Sequence, residues 1–479
     1  MRKALCGLAV ALCVAAAPAG AAPGGAASSE ADSQAAGAKN TRSAVSGLDE
    51  EFHIPCTEFD LPNGLHVILH EDHTIPTVYT NIWYNVGSSN EQVGRTGFAH
   101  LFEHLMFEGS GHVKEGEFDR LLESVGGNNN ASTSSDRTNY YCSAPSCALE
   151  LPLFLESDRM GYLLDSMSPN VVDGQRDVVK NEMRQSYLNR PYAKLWLELP
   201  RMMYPKGHPY NWPVIGSMDD LTAAGYEDVV NFFKKYYVPN NASLVIAGDI
   251  DPKIARELVE KWFSEIKPGE NIAPLKADPV ELKGIVKKTI EDKVALPLRT
   301  QAWPTPAVYE PGDADLDILA SILAGGKHSR LYKRLVYELQ IAQSVSASQD
   351  SSDLGSCFII QYMPRPGVDI DKIQAIVTEE VKKIQDNPPS QEEIDRAVNR
   401  WESTYYYGSE LIGERADMLN NYYRHFGQPD YFAKDLDRYH KVTPESVSDC
   451  AKRYLTRDKY VEITVVPEKK DVSAQKEAK

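Results

Sequence analysis

Two stretches decide the fold: EDVVNFFKKYYVPNNASLVIAGDI at residues 227–250 and ESVSDCAKRYLTRDKYVEITVVPE at residues 445–468. In the first, an amphipathic helix runs to a double tyrosine, and a buried strand follows. The second is a worn copy of it. A second pair repeats the relation, QRDVVKNEMRQSY at 175–187 against IDRAVNRWESTYY at 394–406. Setting Asp177 against Asp395 and Val229 against Val447 gives one offset, 218 positions (395 − 177 and 447 − 229). An offset shared by separate blocks means that the chain is built twice.

The expected class is therefore α+β, with two homologous halves, each a mostly antiparallel sheet covered by helices. The halves span 50–265 and 285–470. Between them 266–284, with its Pro, Gly and mixed charge, reads as a linker. Within the first half, Asn63-Gly64 marks a hairpin, TGFAHLFEHLMFEG and EGEFDRLLESVGG read as helices, and NASTSSDRTNYYCSA reads as one strand. Strands followed by runs of helices fit a sheet covered on one side.

A length of 479 residues allows a large core, and 42% hydrophobic with 25% charged residues is ordinary for a globular chain. The net charge of −17 argues against nucleic acid or an anionic membrane as main partner. Residues 1–22 have the basic start, apolar run and small residues of a secretory signal, with cleavage near Ala21 or Ala22. Residues 23–49 read as a flexible low-complexity segment and 471–479 as a charged tail. No later stretch is long and apolar enough to span a bilayer, so the mature chain is expected to be exported, periplasmic or secreted. Cys6 and Cys13 leave with the signal. Of the five that remain, Cys142 and Cys147 are the closest pair and a candidate disulfide.

The chemistry centres on HLFEH. On a helix, His100, Glu103 and His104 fall on one face, while Leu101, Phe102, Leu105 and Met106 cover the others. Two imidazoles four residues apart can reach one zinc ion, and Glu103 then lies where it can take a proton from a zinc-activated water. The alternative is a pair of histidines on an ordinary amphipathic helix. Three titratable groups inside an apolar pattern argue against it, since they are costly unless paired or metal-bound. A third protein ligand is needed, and Glu182 in QRDVVKNEMRQS is the best candidate, although spacing alone does not select it over other acids nearby.

These motifs resemble a known family. H-x-x-E-H is the inverted-zincin signature, and LPNGLHVIL, GFAHLFEHLMFEGS, NNNASTSSDRTNYY, LESDRM, QRDVVKNEMRQS and VPNNASLVIAGDID are similar to the pitrilysin family of zinc peptidases over about residues 50–468. The length matches half-size members such as the zinc-bearing subunit of mitochondrial processing peptidase. The resemblance implies Zn2+ held by His100, His104 and Glu182, with Glu103 as the catalytic base. It implies that Asn130 and Ala131 sit on an edge strand that takes up extended peptide substrate. Where the family often has a second glutamate, this chain has Gln175, which can still hydrogen-bond a histidine or water.

A second departure is larger. Self-sufficient family members carry an Arg and a Tyr seven residues apart in the second half. In GGKHSRLYKRLVYELQIAQSVSAS those positions hold Val336 and Gln343, while Arg334 and Tyr337 are three apart and are expected to serve surface or packing roles. The second half also lacks ligands, with Ile318, Ser321, Ile322 and Arg400 at the positions equivalent to His100, Glu103, His104 and Glu182. The expected function is a zinc metalloendopeptidase of unstructured peptides, working as a heterodimer with a homologous non-zinc subunit that supplies the missing pair. The alternatives are a self-sufficient homodimeric peptidase and a catalytically silent scaffold.

Overall fold

A computed structural model describes residues 52–469. The expected signal (1–22), the low-complexity segment (23–49), Cys6, Cys13 and the tail (471–479) lie outside the described residues.

The first sheet comprises β1 (Thr57–Asp60), β2 (His66–Glu71), β3 (Thr77–Tyr84), β4 (Asn128–Thr133), β5 (Thr138–Pro145) and β6 (Ala242–Gly248), in the order β1-β2-β6-β3-β5-β4. The second comprises β7 (Val286–Asp292), β8 (Leu298–Thr305), β9 (Ala342–Asp350), β10 (Ser356–Pro364) and β11 (Val461–Pro467), in the order β7-β11-β8-β10-β9. Without β1 the two orders match strand for strand. Each sheet has one parallel pair, β2 with β6 and β7 with β11, and is otherwise antiparallel.

The helices of the first half are α1 (Phe98–Leu105), α2 (Glu117–Ser124), α3 (Glu150–Ser166), α4 (Pro169–Met183), α5 (Lys194–Met203), α6 (Met218–Ala223), α7 (Tyr226–Tyr236) and α8 (Pro252–Phe263). Those of the second are α9 (Asp313–Ala324), α10 (Ile370–Asp386), α11 (Gln391–Ser409), α12 (Ile412–Phe426), α13 (Phe432–His440) and α14 (Pro444–Tyr454). The repeat that opened the sequence reading is α7–β6 against α14–β11. Helix α7 buries Val229, Val230, Phe233 and Tyr236, with acids in its first turn and lysines in its last, as its dipole favours. No helix or strand lies between Phe263 and Val286.

The expectation that helices cover one side of each sheet is corrected. Strands β2, β3 and β6 bury almost every residue rather than alternate ones, so both faces are covered. The second cover is exchanged between halves. Helix α5 packs Leu195, Leu199 and Met203 against Ala302, Ile359 and Ile463 of the second sheet. Its repeat equivalent α12 lies on the first sheet and is polar there. Asp417 Oδ1 accepts from Asn81, Trp83 and Asn139, Asn420 bonds Ser243 and the Asn81 carbonyl, and Tyr423 stacks on His66 at 3.6 Å.

Two local readings also change. The expected single strand over NASTSSDRTNYYCSA is a hairpin, because Ser134 Oγ accepts the backbone N–H groups of Asp136 and Arg137, each at 3.1 Å, and turns the chain. The Cys142–Cys147 bridge is absent. Cys142 is buried among Phe118, Leu122 and Leu155, while Cys147 is exposed, and the five described cysteines are all free.

Candidate metal centre

Helix α1 is held at its start by close contacts that only glycine allows. Gly97 adopts φ 90°, and a side chain there would meet the Ile215 carbonyl at 2.8 Å. The buried carboxylate of Glu91 accepts the N–H groups of Gly97 at 3.0 Å and Ala99 at 2.9 Å. It thereby satisfies donors that a helix start leaves free. Leu101, Phe102 and Leu105 are fully buried, Phe102 stacking on Tyr237 and Phe232. That face fixes the helix, and the remaining face presents His100, Glu103 and His104.

Helix α4 delivers Glu182 one residue before its end, where the chain widens into a π-turn, Arg184–Leu188. Glu182 Oε2 lies 3.6 Å from His100 Nε2 and 3.3 Å from His104 Nε2, and one ligand atom from each residue falls within 4.8 Å of the others. His104 Nε2 and Glu182 Oε1 are buried without a hydrogen-bond partner, as is His100 Nδ1. Orphaned polar atoms of this kind are costly unless something else satisfies them. Zinc fits. Donors about 2.1 Å from a tetrahedral ion stand about 3.4 Å from each other, close to the carboxylate–imidazole separations here. Burial pushes the His100 imidazole down, against the raising effect of Glu103 and Glu182, and so favours the neutral, ligating form. Burial raises the Glu182 carboxyl, but the neighbouring His104 and His100 outweigh it and hold Glu182 below its ordinary value, in the ionised form a cation needs.

Glu103 is not in that cluster. It lies on the same face, buried, with Oε2 accepting from Thr133 Oγ1 at 2.6 Å. Thr133 ends β4, and β4 is the outer strand of its sheet, paired only with β5. Asn130 and Ala131 stand on that open edge. The Ala131 N–H is covered by the Asn130 side chain, Oδ1 accepting at 2.9 Å. Gln175 bonds neither His100 nor His104. Its Nε2 donates to Glu108 Oε1 at 2.6 Å, so this pair carries a carboxylate on Glu108 rather than at position 175.

The sequence reading missed Glu91, Thr133 and Glu108. Thr133 lay inside the quoted NNNASTSS stretch, but no spacing rule couples a strand end to a helix thirty residues earlier. Glu108 stands four residues after His104, one turn on, and was the legible one of the three.

Two descriptions of one family match separate stretches of the chain. Residues 66–199 match the insulinase (peptidase family M16) description, and residues 223–400 match the peptidase M16 inactive domain. The chain belongs to the M16 family. Among curated relatives, the zinc protease PqqE of Helicobacter pylori is 28% identical over 365 residues, covering 75% of this chain and 79% of that protein. An uncharacterized zinc protease of Mycobacterium leprae is 24% identical over 403 residues, covering 83% and 88%. Among solved structures, a protease from Helicobacter pylori matches with a TM-score of 0.81 at 25% identity, covering 87% of this chain and all of that one. A peptidase M16 inactive domain from Pseudomonas fluorescens shares the fold, with a TM-score of 0.76 at 19% identity and coverage of 87% and 98%.

The description "inactive domain" falls on most of the half without ligands. There α9 places Ile318 and Ile322 in the apolar core, and Arg400 stands on α11. Among the described residues, His100, His104 and Glu182 are the one group of three or more His, Cys, Asp or Glu side chains able to hold a metal ion. Val336 packs half-buried against the second core, and Gln343 is exposed on β9. Arg334 is engaged by Glu379 and Glu380, and Tyr337 is 75% exposed.

Proposed function

We propose that this chain is a zinc-dependent endopeptidase acting on unstructured peptides, with 50–265 as its catalytic domain. The observation that carries the reading is the convergence of His100, His104 and Glu182 beside Glu103 at the open edge of β4. His100, His104 and Glu182 hold the metal. Bound zinc supplies Lewis acidity, which acidifies a water and polarises the scissile carbonyl. Glu103 takes one proton from the attacking water as its oxygen bonds to the carbonyl carbon. It returns that proton to the leaving nitrogen as the C–N bond breaks, giving a carboxylic acid and an amine, and the acid's own proton then passes to the amine to leave a carboxylate and an ammonium. Extended substrate adds as a strand along β4, and the Asn130 side chain swings aside to release the Ala131 N–H.

Val336 has no hydrogen-bond donor and Gln343 offers only a neutral amide, so neither supplies the charge of an Arg or the hydroxyl of a Tyr, and we assign that task to a second, homologous chain without the metal triad. The protein acts after export, in the periplasm or beyond it. Among the described residues no helix is long and apolar enough to cross a membrane. The test is turnover of a quenched unstructured peptide by the zinc-loaded chain, alone and with candidate homologous partners. Turnover only with a partner is expected. Full activity alone removes the two-chain assignment and leaves a self-sufficient peptidase. Silence with every partner despite bound zinc favours a scaffold.

A further inference from the structure

The link between α1 and β4 has a consequence for the base, and it rests on the peptidase reading above. We infer that Thr133 is a positioning residue for Glu103. Its hydroxyl fixes which carboxylate oxygen of Glu103 is free to accept a proton, and it ties that choice to the strand that receives substrate.

A glutamate side chain has three rotatable bonds, and a base that swings loses the alignment that proton transfer requires. Glu103 Oε2 is taken by the Thr133 hydroxyl, which leaves Oε1 for the reaction. The hydroxyl comes from a residue that is itself well fixed. Thr133 is β-branched and restricted at χ1. It pairs with Thr138 in β5, whose own hydroxyl donates to the Val86 carbonyl at 2.8 Å. The turn that follows is tied by Ser134, and Arg137 Nη1 donates to the carbonyl and hydroxyl of Ser132. The acceptor therefore rides on α1 while the donor rides on the hairpin, and the bond between them joins two separate elements of one core.

Strand addition acts on the same hairpin. Thr133 is two residues beyond Ala131, on the same side of β4. A peptide that pairs with the outer edge gives β4 a second neighbour and stiffens the strand that carries the hydroxyl. Occupancy of the edge and orientation of the base are thus linked through one side chain.

The experiment compares Thr133→Val, which keeps the shape and removes the hydroxyl, with Thr133→Ser, which keeps the hydroxyl, in the zinc-loaded chain with its partner. The readouts are zinc content, kcat and KM on a quenched peptide, and calorimetric binding of a phosphinic peptide, which reports on the site without turnover. In Thr133→Val, kcat is expected to fall about tenfold or more with KM and zinc content unchanged, and phosphinic-peptide affinity to fall with it. Thr133→Ser is expected to stay near the wild type in every readout. A Val variant within twofold of wild-type kcat and affinity overturns the inference, as does a Ser variant that loses as much as Val. If the wild type neither turns over nor binds the phosphinic peptide, the peptidase reading itself falls and takes this inference with it.

Discussion

Helices α1 and α9 are copies of one element on matching sheets, and they bury different chemistry. Helix α1 aims two imidazoles toward Glu182 of α4 and a carboxylate toward Thr133 of β4. Helix α9 puts Ile318 and Ile322 where the histidines would be, at 0% and 5% exposure. Burying an isoleucine stabilises by roughly 1.5–3 kcal/mol, while a buried polar group without a partner costs about 1–3 kcal/mol. The fold therefore accepts either filling. The second half gains core where the first accepts a liability, and His104 Nε2 and Glu182 Oε1 remain without partners in protein alone. What the comparison teaches is that the repeated architecture does not require the triad, so its presence in one copy calls for a functional explanation.

The largest effect should come from swapping a residue on each helix. Glu103→Gln is expected to lower turnover by about 10²–10⁴-fold while zinc content stays at the wild-type level. Its counterpart Ser321→Ala should change neither, since the second half holds no comparable group. Peptidase assays paired with metal analysis read both. Loss of zinc in Glu103→Gln would mean that Glu103 is a ligand, and the division of roles between the three residues of α1 would have to be redrawn.

The exchanged helices give the next contrast. Leu199 of α5 is 7% exposed in an apolar cluster, and Leu199→Ala is expected to cost about 2–4 kcal/mol. Asn420 of α12 is fully buried and bonds both Ser243 and the Asn81 carbonyl. Asn420→Ala leaves those groups unpaired and is expected to cost about 1–3 kcal/mol. Denaturant midpoints decide the ranking. A larger loss at Asn420 would make the polar cover, rather than the apolar one, the stronger tie between the halves.

The smallest effect concerns the rim of that polar cover. Thr74 hydrogen bonds and Arg415 of α12 hold the Asp72 carboxyl down at about 2. A depressed carboxylate stabilises the folded state above its unfolded value near 4, and that contribution is lost as pH falls through about 2. Asp72→Asn is expected to cost on the order of 1–2 kcal/mol at pH 7, with the difference from wild type shrinking as pH is lowered from about 4 to about 2. Chemical denaturation at several pH values checks it. A difference that stays constant with pH would mean that Asp72 acts by shape rather than charge.

Local pattern made much of this legible. The offset of 218 predicted two copies because helix and strand periods survive substitution, and α7 with α14 stand at that offset at both ends. HLFEH was legible because three residues on one helix face need no tertiary information to be neighbours. The hairpin at Ser134 was missed because its turn is made by a side chain bonding backbone in the middle of a strand-like composition. The exchanged covers were missed because α5 and α12 look like ordinary amphipathic helices, and no local signal says whose sheet they meet.

The sequence by itself determined the duplicated α+β architecture, the face that joins His100, Glu103 and His104, and the absence of equivalent groups on α9. Each is a matter of period and residue type within one element. The tertiary structure decided that Glu182, rather than another acid, stands 3.3 Å from His104, that Gln175 turns to Glu108, and that Thr133 holds Glu103. Those contacts join side chains of separate elements, and their distances follow from how helices and strands pack, which spacing along the chain does not encode.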